Sequence, residues 1–124
     1  MVKVSIGMPV YNVAEYLSKC LDSIINQTFT DFEVIMVDDG STDGRSFEIC
    51  QEYVERDKRF RLIHQKNGGR SAARNTALKN MAGEYITWID SDDWVEPNYL
   101  KILIDTQTRT GADLVNVGHK GYRD

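Results

Sequence analysis

Hydrophobic residues recur along the chain in two alternating patterns, which predict strands and helices in turn. Short, nearly continuous apolar runs predict buried strands, and apolar residues three or four positions apart predict helices with one buried face. The predicted strands are Val2–Met8, Phe32–Val37, Arg59–His64, Tyr85–Ile89 and Asp113–Val117. The predicted helices cover about 13–27, Ser46–Arg56, about 71–80, and the stretch from Pro97 to just before Gly111. Repeated strand–helix units predict an α/β fold, Rossmann-like, with a mainly parallel sheet and helices on both faces.

Residue types at the ends of these patterns predict where several elements begin and end. Pro9 is expected to end the first strand, because proline cannot donate a hydrogen bond within a sheet. Asn12 is expected to cap the first helix, with Glu15 three residues on completing a capping box. Ser71 is expected to cap the third helix, and Pro97 stands where a fourth helix can begin.

Polar residues cluster after four of the predicted strands. The clusters are Pro9–Asn12, Asp38–Asp43, Asn67–Arg74 and Asp90–Asp93. Ligands of open parallel sheets bind beyond the carboxyl ends of the strands, where these clusters would meet. The simplest architecture is therefore one site assembled from all four.

Three carboxylates occupy the four positions Asp90–Asp93, directly after a predicted buried strand. Like charges this close are unfavourable unless something compensates them. A hard divalent cation such as Mg²⁺ or Mn²⁺ would do so, and substrate phosphates commonly complete its coordination shell. The cluster is therefore predicted to form a metal and nucleotide-diphosphate site. The alternative is a solvated acidic turn that caps the next helix.

Two other acidic motifs can be compared with the same residues. A calcium-binding EF-hand loop needs glycine at its sixth position and glutamate at its twelfth, where this chain has Val95 and Lys101. An aspartyl-phosphate phosphatase would carry threonine or valine two residues after an aspartate, where Trp94 stands. The first motif is excluded, and the second is disfavoured but stays open.

The end of the second strand offers groups for a base and a ribose. Asp39 could accept hydrogen bonds from an imide N–H or from ribose hydroxyls, or it could belong only to a tight turn and helix cap. Tyr11, beside Pro9, could stack on a base or pack against the first helix.

The loop after the third strand carries two arginines one helical turn apart, Arg70 and Arg74. They lie near a predicted helix N-terminus, where anions are favoured. The alternative for each arginine is a structural ion pair with a nearby aspartate. Neither a GxGxxG nor a Walker A sequence is present, so the dinucleotide-binding and P-loop hypotheses lose their main support.

Composition narrows the possibilities mainly by exclusion. The 124 residues suit a single domain over 1–124, and the formal net charge of −4 argues against broad nucleic-acid binding. Cys20 and Cys50 are expected to be buried free thiols. His64 and His119 are isolated and are assigned no role. The chain shows no signal-peptide pattern and no run of ~18 apolar residues, so the expected location is the cytoplasm, with peripheral attachment at the inner membrane face as an option.

Four motifs together resemble one known family. They read VSIGMPVYN over 4–12, VDDGSTD over 37–43, NGGRSAARN over 67–75 and DSDDW over 90–94. In this order and spacing they strongly resemble family 2 glycosyltransferases, which are inverting enzymes of the GT-A fold. The resemblance covers essentially the whole chain, and four ordered motifs are far more specific than any one of them.

The resemblance implies a nucleotide-diphosphate-sugar donor, most often a UDP-sugar, together with Mn²⁺ or Mg²⁺. The residues that match nucleotide-binding positions are Pro9, Tyr11, Asp39, Arg74 and Asp90. Asp92 matches the second aspartate of the family's Asp-x-Asp motif, which binds the metal. Asp93 is expected either to bind the metal with Asp92 or to contact the ribose and sugar with Asp90. The acceptor is expected to be a glycan or a lipid-linked sugar.

The chain departs from the family in its length. In inverting members the general base is a carboxylate in the later, acceptor-binding half. No later carboxylate here is a convincing base: the candidates are Glu96, Asp105, Asp113 and Asp124. We therefore expect a donor-binding portion that lacks the base and has little or no activity alone. An exposed sheet edge would also favour a homo-oligomer. A non-catalytic nucleotide-sugar-binding module and a sugar nucleotidyltransferase remain as alternatives.

Overall fold

Strands and helices alternate through residues 2–110, which are the residues described by the computed structural model. The strands are β1 (Val4–Val10), β2 (Phe32–Asp39), β3 (Phe60–Gln65) and β4 (Tyr85–Trp88). The helices are α1 (Ala14–Ile25), α2 (Ser46–Arg56), α3 (Arg70–Lys79) and α4 (Tyr99–Thr110). The strands form one parallel sheet in the order β3-β2-β1-β4. The predicted α/β fold is confirmed, whereas the predicted strand Asp113–Val117 and His119 lie outside the described residues.

Helices cover both faces of the sheet, as the sequence predicts. On one face the even-numbered residues of β1 pack against α1, α2 and α4, and they are Val4, Ile6, Met8 and Val10. On the other face Ile35 and Val37 of β2 pack against Ala73 and Ala77 of α3. Because β2 is covered on both faces, its central residues 34–37 are apolar without alternation.

The prediction that β1 stops at Pro9 is wrong, since the strand continues to Val10. The backbone of Val4 bonds toward β2, through Asp31, and that of Gly7 bonds toward β4, through Ile89. Strand backbones alternate between their two sides, so Pro9 also turns toward β4. Pairing with β4 ends at Gly7. The missing N–H of Pro9 therefore costs no bond within the sheet.

The predicted capping box of Asn12 and Glu15 is also wrong. Asn12 has a left-handed backbone, with φ of 50°, and the N-cap position of α1 is Val13, whose side chain makes no capping hydrogen bond. The Asn12 side chain instead binds the loop after β2, where Oδ1 accepts from the backbone N–H of Asp43 at 3.2 Å. The Asp43 carboxylate in turn accepts from the backbone N–H of Ala14. The first turn of α1 is thus capped by a neighbouring loop.

The third helix begins two residues earlier than a cap at Ser71 predicts. Arg70 is its first residue, and Gly69 precedes it with φ of 95°, a conformation that favours glycine. Ser71 therefore lies within the first turn and does not cap the helix. The fourth helix begins at Tyr99, two residues after Pro97.

Both cysteines are buried and free, as predicted. Burial, with the nearby charge of Asp38, raises the pKa of the Cys50 thiol to about 12. Burial and the charges of the acidic cluster raise the pKa of Cys20 further. Neither thiol forms a thiolate nucleophile at neutral pH. None of the helices within residues 2–110 has both the length and the apolar character needed to cross a membrane.

Candidate functional site

A cavity of about 460 Å³ opens at the carboxyl ends of the strands, a volume within the range of small-molecule sites. All four sequence clusters contribute to its lining. The first cluster supplies Pro9 and Tyr11, the second Asp39, the third Gly69 and Arg70, and the fourth Ser91 and Asp92. The parallel sheet brings the clusters together because it ends all of its strands at one edge.

The carboxylate of Asp39 is 4% exposed and is surrounded by donors from β3 and the loop that follows it. Oδ1 accepts from Gln65 Nε2 and from the Gly68 backbone N–H, both at 2.9 Å. Oδ2 accepts from the Gly69 backbone N–H at 2.9 Å, with Asn67 Nδ2 at 3.4 Å. Burial alone would raise the pKa of Asp39, but the bonds from Gln65, Gly68 and Gly69 hold it below the ordinary aspartate value.

One of these donors, Gln65, was not predicted from the sequence, and its position follows from strand pairing. Asp39 lies opposite Gln65 in the parallel register of β2 and β3. Asn67 also donates to the backbone carbonyl of Asp39 at 2.9 Å. The register is a signal that only the folded sheet provides, since the sequence alone does not align the two strand ends.

His64, which was assigned no role, contacts the other carboxylate at the end of β2. Its Nδ1 lies 2.8 Å from Oδ2 of Asp38, which is fully buried. The His64 ring also packs edge-on against Phe47, with ring centroids 5.2 Å apart. Among residues 2–110, Oδ1 of Asp38 has no hydrogen-bond partner. Neither residue of this pair lines the cavity.

Asp90, Asp92 and Asp93 bring one carboxylate oxygen each within 4.8 Å of one another. Asp93 is buried, whereas Asp90 and Asp92 are partly exposed, and a bond from the Asp93 N–H to the Asp90 carbonyl closes the turn at 3.0 Å. Three clustered carboxylate oxygens are the donor set that a hard divalent cation prefers. The geometry therefore fits Mg²⁺ or Mn²⁺, with Asp92 on the cavity side.

The two arginines occupy different places. Arg70 lines the cavity, and its guanidinium lies 3.9 Å from Oδ1 of Asp90, a loose and exposed pair. Arg74 does not line the cavity, and its guanidinium lies 4.9 Å from the centroid of the Trp88 ring. Within the described part of the chain, the buried Nε of Arg74 has no hydrogen-bond partner. Arg70 is thus nearer to a ligand in the cavity than Arg74.

Tyr11 and Pro9 both line the cavity at the end of β1. Tyr11 is 47% exposed, so much of its ring stays available and is not buried against α1. An exposed ring beside a proline suits a flat ligand such as a nucleobase.

The model of glycosyl transferase family 2 matches residues 5–124 of this chain. Glycosyltransferase GlyA of Streptococcus pneumoniae is 52% identical over 112 residues, which cover 90% of this chain and 16% of GlyA. The uncharacterized glycosyltransferase EpsJ of Bacillus subtilis is 44% identical over 115 residues, which cover 93% of this chain and 33% of EpsJ. The chain thus spans a third or less of the length of these curated relatives.

Solved structures of glycosyltransferases share the fold. S. aureus TarS 1-349, in complex with UDP-GlcNAc, superposes with a TM-score of 0.83 at 32% identity, over 99% of this chain and 37% of TarS. The mannosyltransferase PcManGT from Pyrobaculum calidifontis, in complex with GDP-Man and Mn²⁺, superposes with a TM-score of 0.78 at 27% identity. That match covers 85% of this chain and 32% of PcManGT.

Proposed function

This chain belongs to glycosyl transferase family 2, and we propose that it binds the nucleotide-diphosphate-sugar donor of a metal-dependent, inverting glycosyltransferase. The observation that carries the proposal is that residues of all four motifs line one and the same cavity, with a carboxylate cluster at one wall. A UDP-sugar is the proposed donor, supported by the similarity to TarS, which was solved with UDP-GlcNAc.

The proposed nucleotide site extends across the cavity from base to diphosphate. Asp39 accepts hydrogen bonds from the base or ribose, and Tyr11 and Pro9 face the base. Asp90 lies toward the ribose and the sugar. Arg74 is retained as a nucleotide-side residue from the family resemblance, although its guanidinium stacks on Trp88 and does not line the cavity.

Asp92 and Asp93 are the proposed metal ligands, and the clustered oxygens support this assignment. When bound, a divalent cation supplies charge neutralisation for the departing nucleoside diphosphate. The protein's own contribution is to hold the carboxylates together and to place Arg70 beside them, 3.9 Å from Asp90. Arg70 favours a phosphate-bearing ligand at this wall directly, and the carboxylates would do so through a bound cation.

Inversion requires a general base that deprotonates the acceptor hydroxyl as its oxygen attacks the anomeric carbon. Two of the candidate carboxylates lie within residues 2–110. Glu96 does not line the cavity, and Asp105 pairs with Lys101 at 2.8 Å on an exposed face. We propose that the base and the site for a glycan or lipid-linked acceptor lie outside residues 2–110.

Isothermal titration calorimetry with UDP and Mn²⁺ tests the proposal. We expect binding by the wild-type chain and loss of that binding in Asp92→Ala. Asp105→Ala is the matched control, because it removes an exposed carboxylate of α4 that does not line the cavity. Absence of binding to any nucleoside diphosphate would refute a donor role, and undiminished binding in EDTA would refute metal dependence.

A further inference from the structure

A chain of hydrogen bonds runs behind the cavity wall from α3 to Asp39. Thr76 Oγ1 lies 2.6 Å from Gln65 Oε1, and Gln65 Nε2 lies 2.9 Å from Asp39 Oδ1. Thr76 belongs to α3, Gln65 ends β3, and Asp39 ends β2. Hydrogen bonds therefore connect three separate elements, and the chain ends on a carboxylate that lines the cavity.

The direction of this chain is fixed by the carboxylate. An ionised carboxylate only accepts hydrogen bonds, so the amide NH₂ of Gln65 must face Asp39. The amide oxygen then faces Thr76, whose hydroxyl must donate to it. The same hydroxyl lies 3.1 Å from the backbone carbonyl of Ala72, a longer contact than the 2.6 Å one to Gln65. Thr76 thus opposes rotation of the Gln65 amide.

The chain also determines which oxygen of Asp39 retains capacity for a ligand. Oδ1 already accepts two bonds of 2.9 Å, from Gln65 and Gly68. Oδ2 accepts one bond of 2.9 Å from Gly69 and a weaker contact of 3.4 Å from Asn67. Asn67 keeps its 2.9 Å bond to the Asp39 carbonyl if that weaker contact is displaced. Oδ2 is therefore the oxygen that can accept one more donor.

We propose that Gln65, oriented by Thr76, is a positioning residue that holds the Asp39 carboxylate in the orientation that favours uracil over cytosine. With Oδ1 filled by the protein, Asp39 presents Oδ2 as an acceptor to the ligand. The N3–H of uracil donates to such an acceptor, whereas the N3 of neutral cytosine is itself an acceptor and is repelled. The inference rests on the proposed donor function and adds the residues that set its base preference.

Calorimetric affinities for UDP and CDP, each with Mg²⁺, give the ratio that tests this inference. We expect the wild-type chain to prefer UDP by at least about tenfold. Gln65→Leu is expected to lower the ratio about fivefold without abolishing it, because Gly68 and Gly69 still bind the Asp39 carboxylate. Thr76→Val, which replaces only the hydroxyl group by a methyl group, is expected to lower it by about threefold. Gln51→Leu, on the exposed face of α2, is the matched control and should keep the wild-type ratio.

A purely structural role of Gln65 predicts a different result. Loosening of the loop would weaken UDP and CDP equally, so an unchanged ratio in both Gln65→Leu and Thr76→Val overturns the inference. If thermal melting shows that Gln65→Leu does not fold, Thr76→Val decides alone. A wild-type chain that binds neither nucleotide refutes the proposed UDP-sugar donor. A wild-type chain that binds both equally refutes only this inference.

Gln65→Glu adds a pH readout that loop loosening would not produce. A neutral glutamic acid can donate to Asp39 as the amide does, whereas an ionised one repels it. We expect the UDP preference of this variant to be lower than that of the wild type at pH 8.5, where the glutamate is ionised, and to recover as the pH is lowered toward 6, a range over which cytosine stays neutral. Because His64 contacts the adjacent Asp38, the wild-type chain at the same pH is the reference. A preference that tracks the wild type at both pH values contradicts the inference.

Discussion

Asp39 and Asp92 both line the cavity, but the chain surrounds these two carboxylates in opposite ways. At the base wall, formed by Asp39 with residues 65–69, the carboxylate accepts two backbone N–H groups and a side-chain amide. At the acidic wall, formed by Asp90–Asp93, carboxylate oxygens lie within 4.8 Å of one another. The base wall neutralises its charge with protein donors, and the acidic wall concentrates charge.

The two arrangements should contribute to stability under different conditions. A carboxylate that holds a loop through several bonds is already organised before a ligand arrives, and its removal should damage the fold. Carboxylates gathered at one point repel one another, and a bound cation relieves that repulsion. The base wall should therefore influence stability without any ligand, whereas the acidic wall should influence it mainly when a metal ion is present.

The largest expected effect comes from removing the carboxylate of the base wall. Asp39→Ala leaves the donors of Gln65, Gly68 and Gly69 without their acceptor, and we expect the free energy of unfolding to fall by about 3 kcal/mol. Urea unfolding without metal measures it. The same substitution at the acidic wall, Asp92→Ala, is the control, and an equal loss in both would erase the contrast between the walls.

Low pH should also reduce the stability that the base wall contributes. The pKa of Asp39 is lowered in the folded chain, so its contribution is present above the unfolded value of about 3.9 and is lost as the pH falls through the folded value. Asp57, paired with Arg59, behaves alike, as does Asp43, whose burial is outweighed by bonds from Ser46. Unfolding free energies measured below pH 4 should therefore decline less steeply in Asp39→Ala than in the wild type.

A matched pair of glycines tests the close approach that builds the base wall. Gly40 and Gly44 have similar backbones, with φ of 74° and 71°. A Cβ at Gly40 would lie 2.7 Å from the backbone nitrogen of Asn67, whereas one at Gly44 would meet nothing within 4 Å. We expect Gly40→Ala to cost about 2 kcal/mol and Gly44→Ala about 1 kcal/mol in urea unfolding. Equal costs would mean that the contact with Asn67 is easily relieved.

A smaller effect than that of Gly40→Ala should appear at the acidic wall, and only with a cation. At a free Mg²⁺ concentration of about ten times its Kd, the wild-type free energy of unfolding should rise by about 1.4 kcal/mol. Asp92→Asn should lose this rise, and Asp39→Asn should keep it. Thermal melts with and without Mg²⁺ measure the difference. A rise that survives in Asp92→Asn would place the cation elsewhere.

Local sequence predicted much of the fold because the patterns involved are local. The helix Ser46–Arg56 has the predicted bounds, and the apolar stripe of α1 buries Leu17, Leu21 and Ile24 as expected. Local patterns failed where the partner is distant. Asn12 has the chemistry of a cap, yet it binds a loop about 30 positions away. Pro9 breaks most strands, yet it is accommodated where β4 has ended.

The sequence by itself determined the order of strands and helices and the four polar clusters that follow the strands, because periodicity and turn residues act over a few positions. Only the tertiary structure decided what each polar group binds. The parallel register of β2 and β3 sets Gln65 on Asp39 and His64 on Asp38. Register depends on which strands are neighbours and on how they align, and neither property is carried by any single stretch of residues.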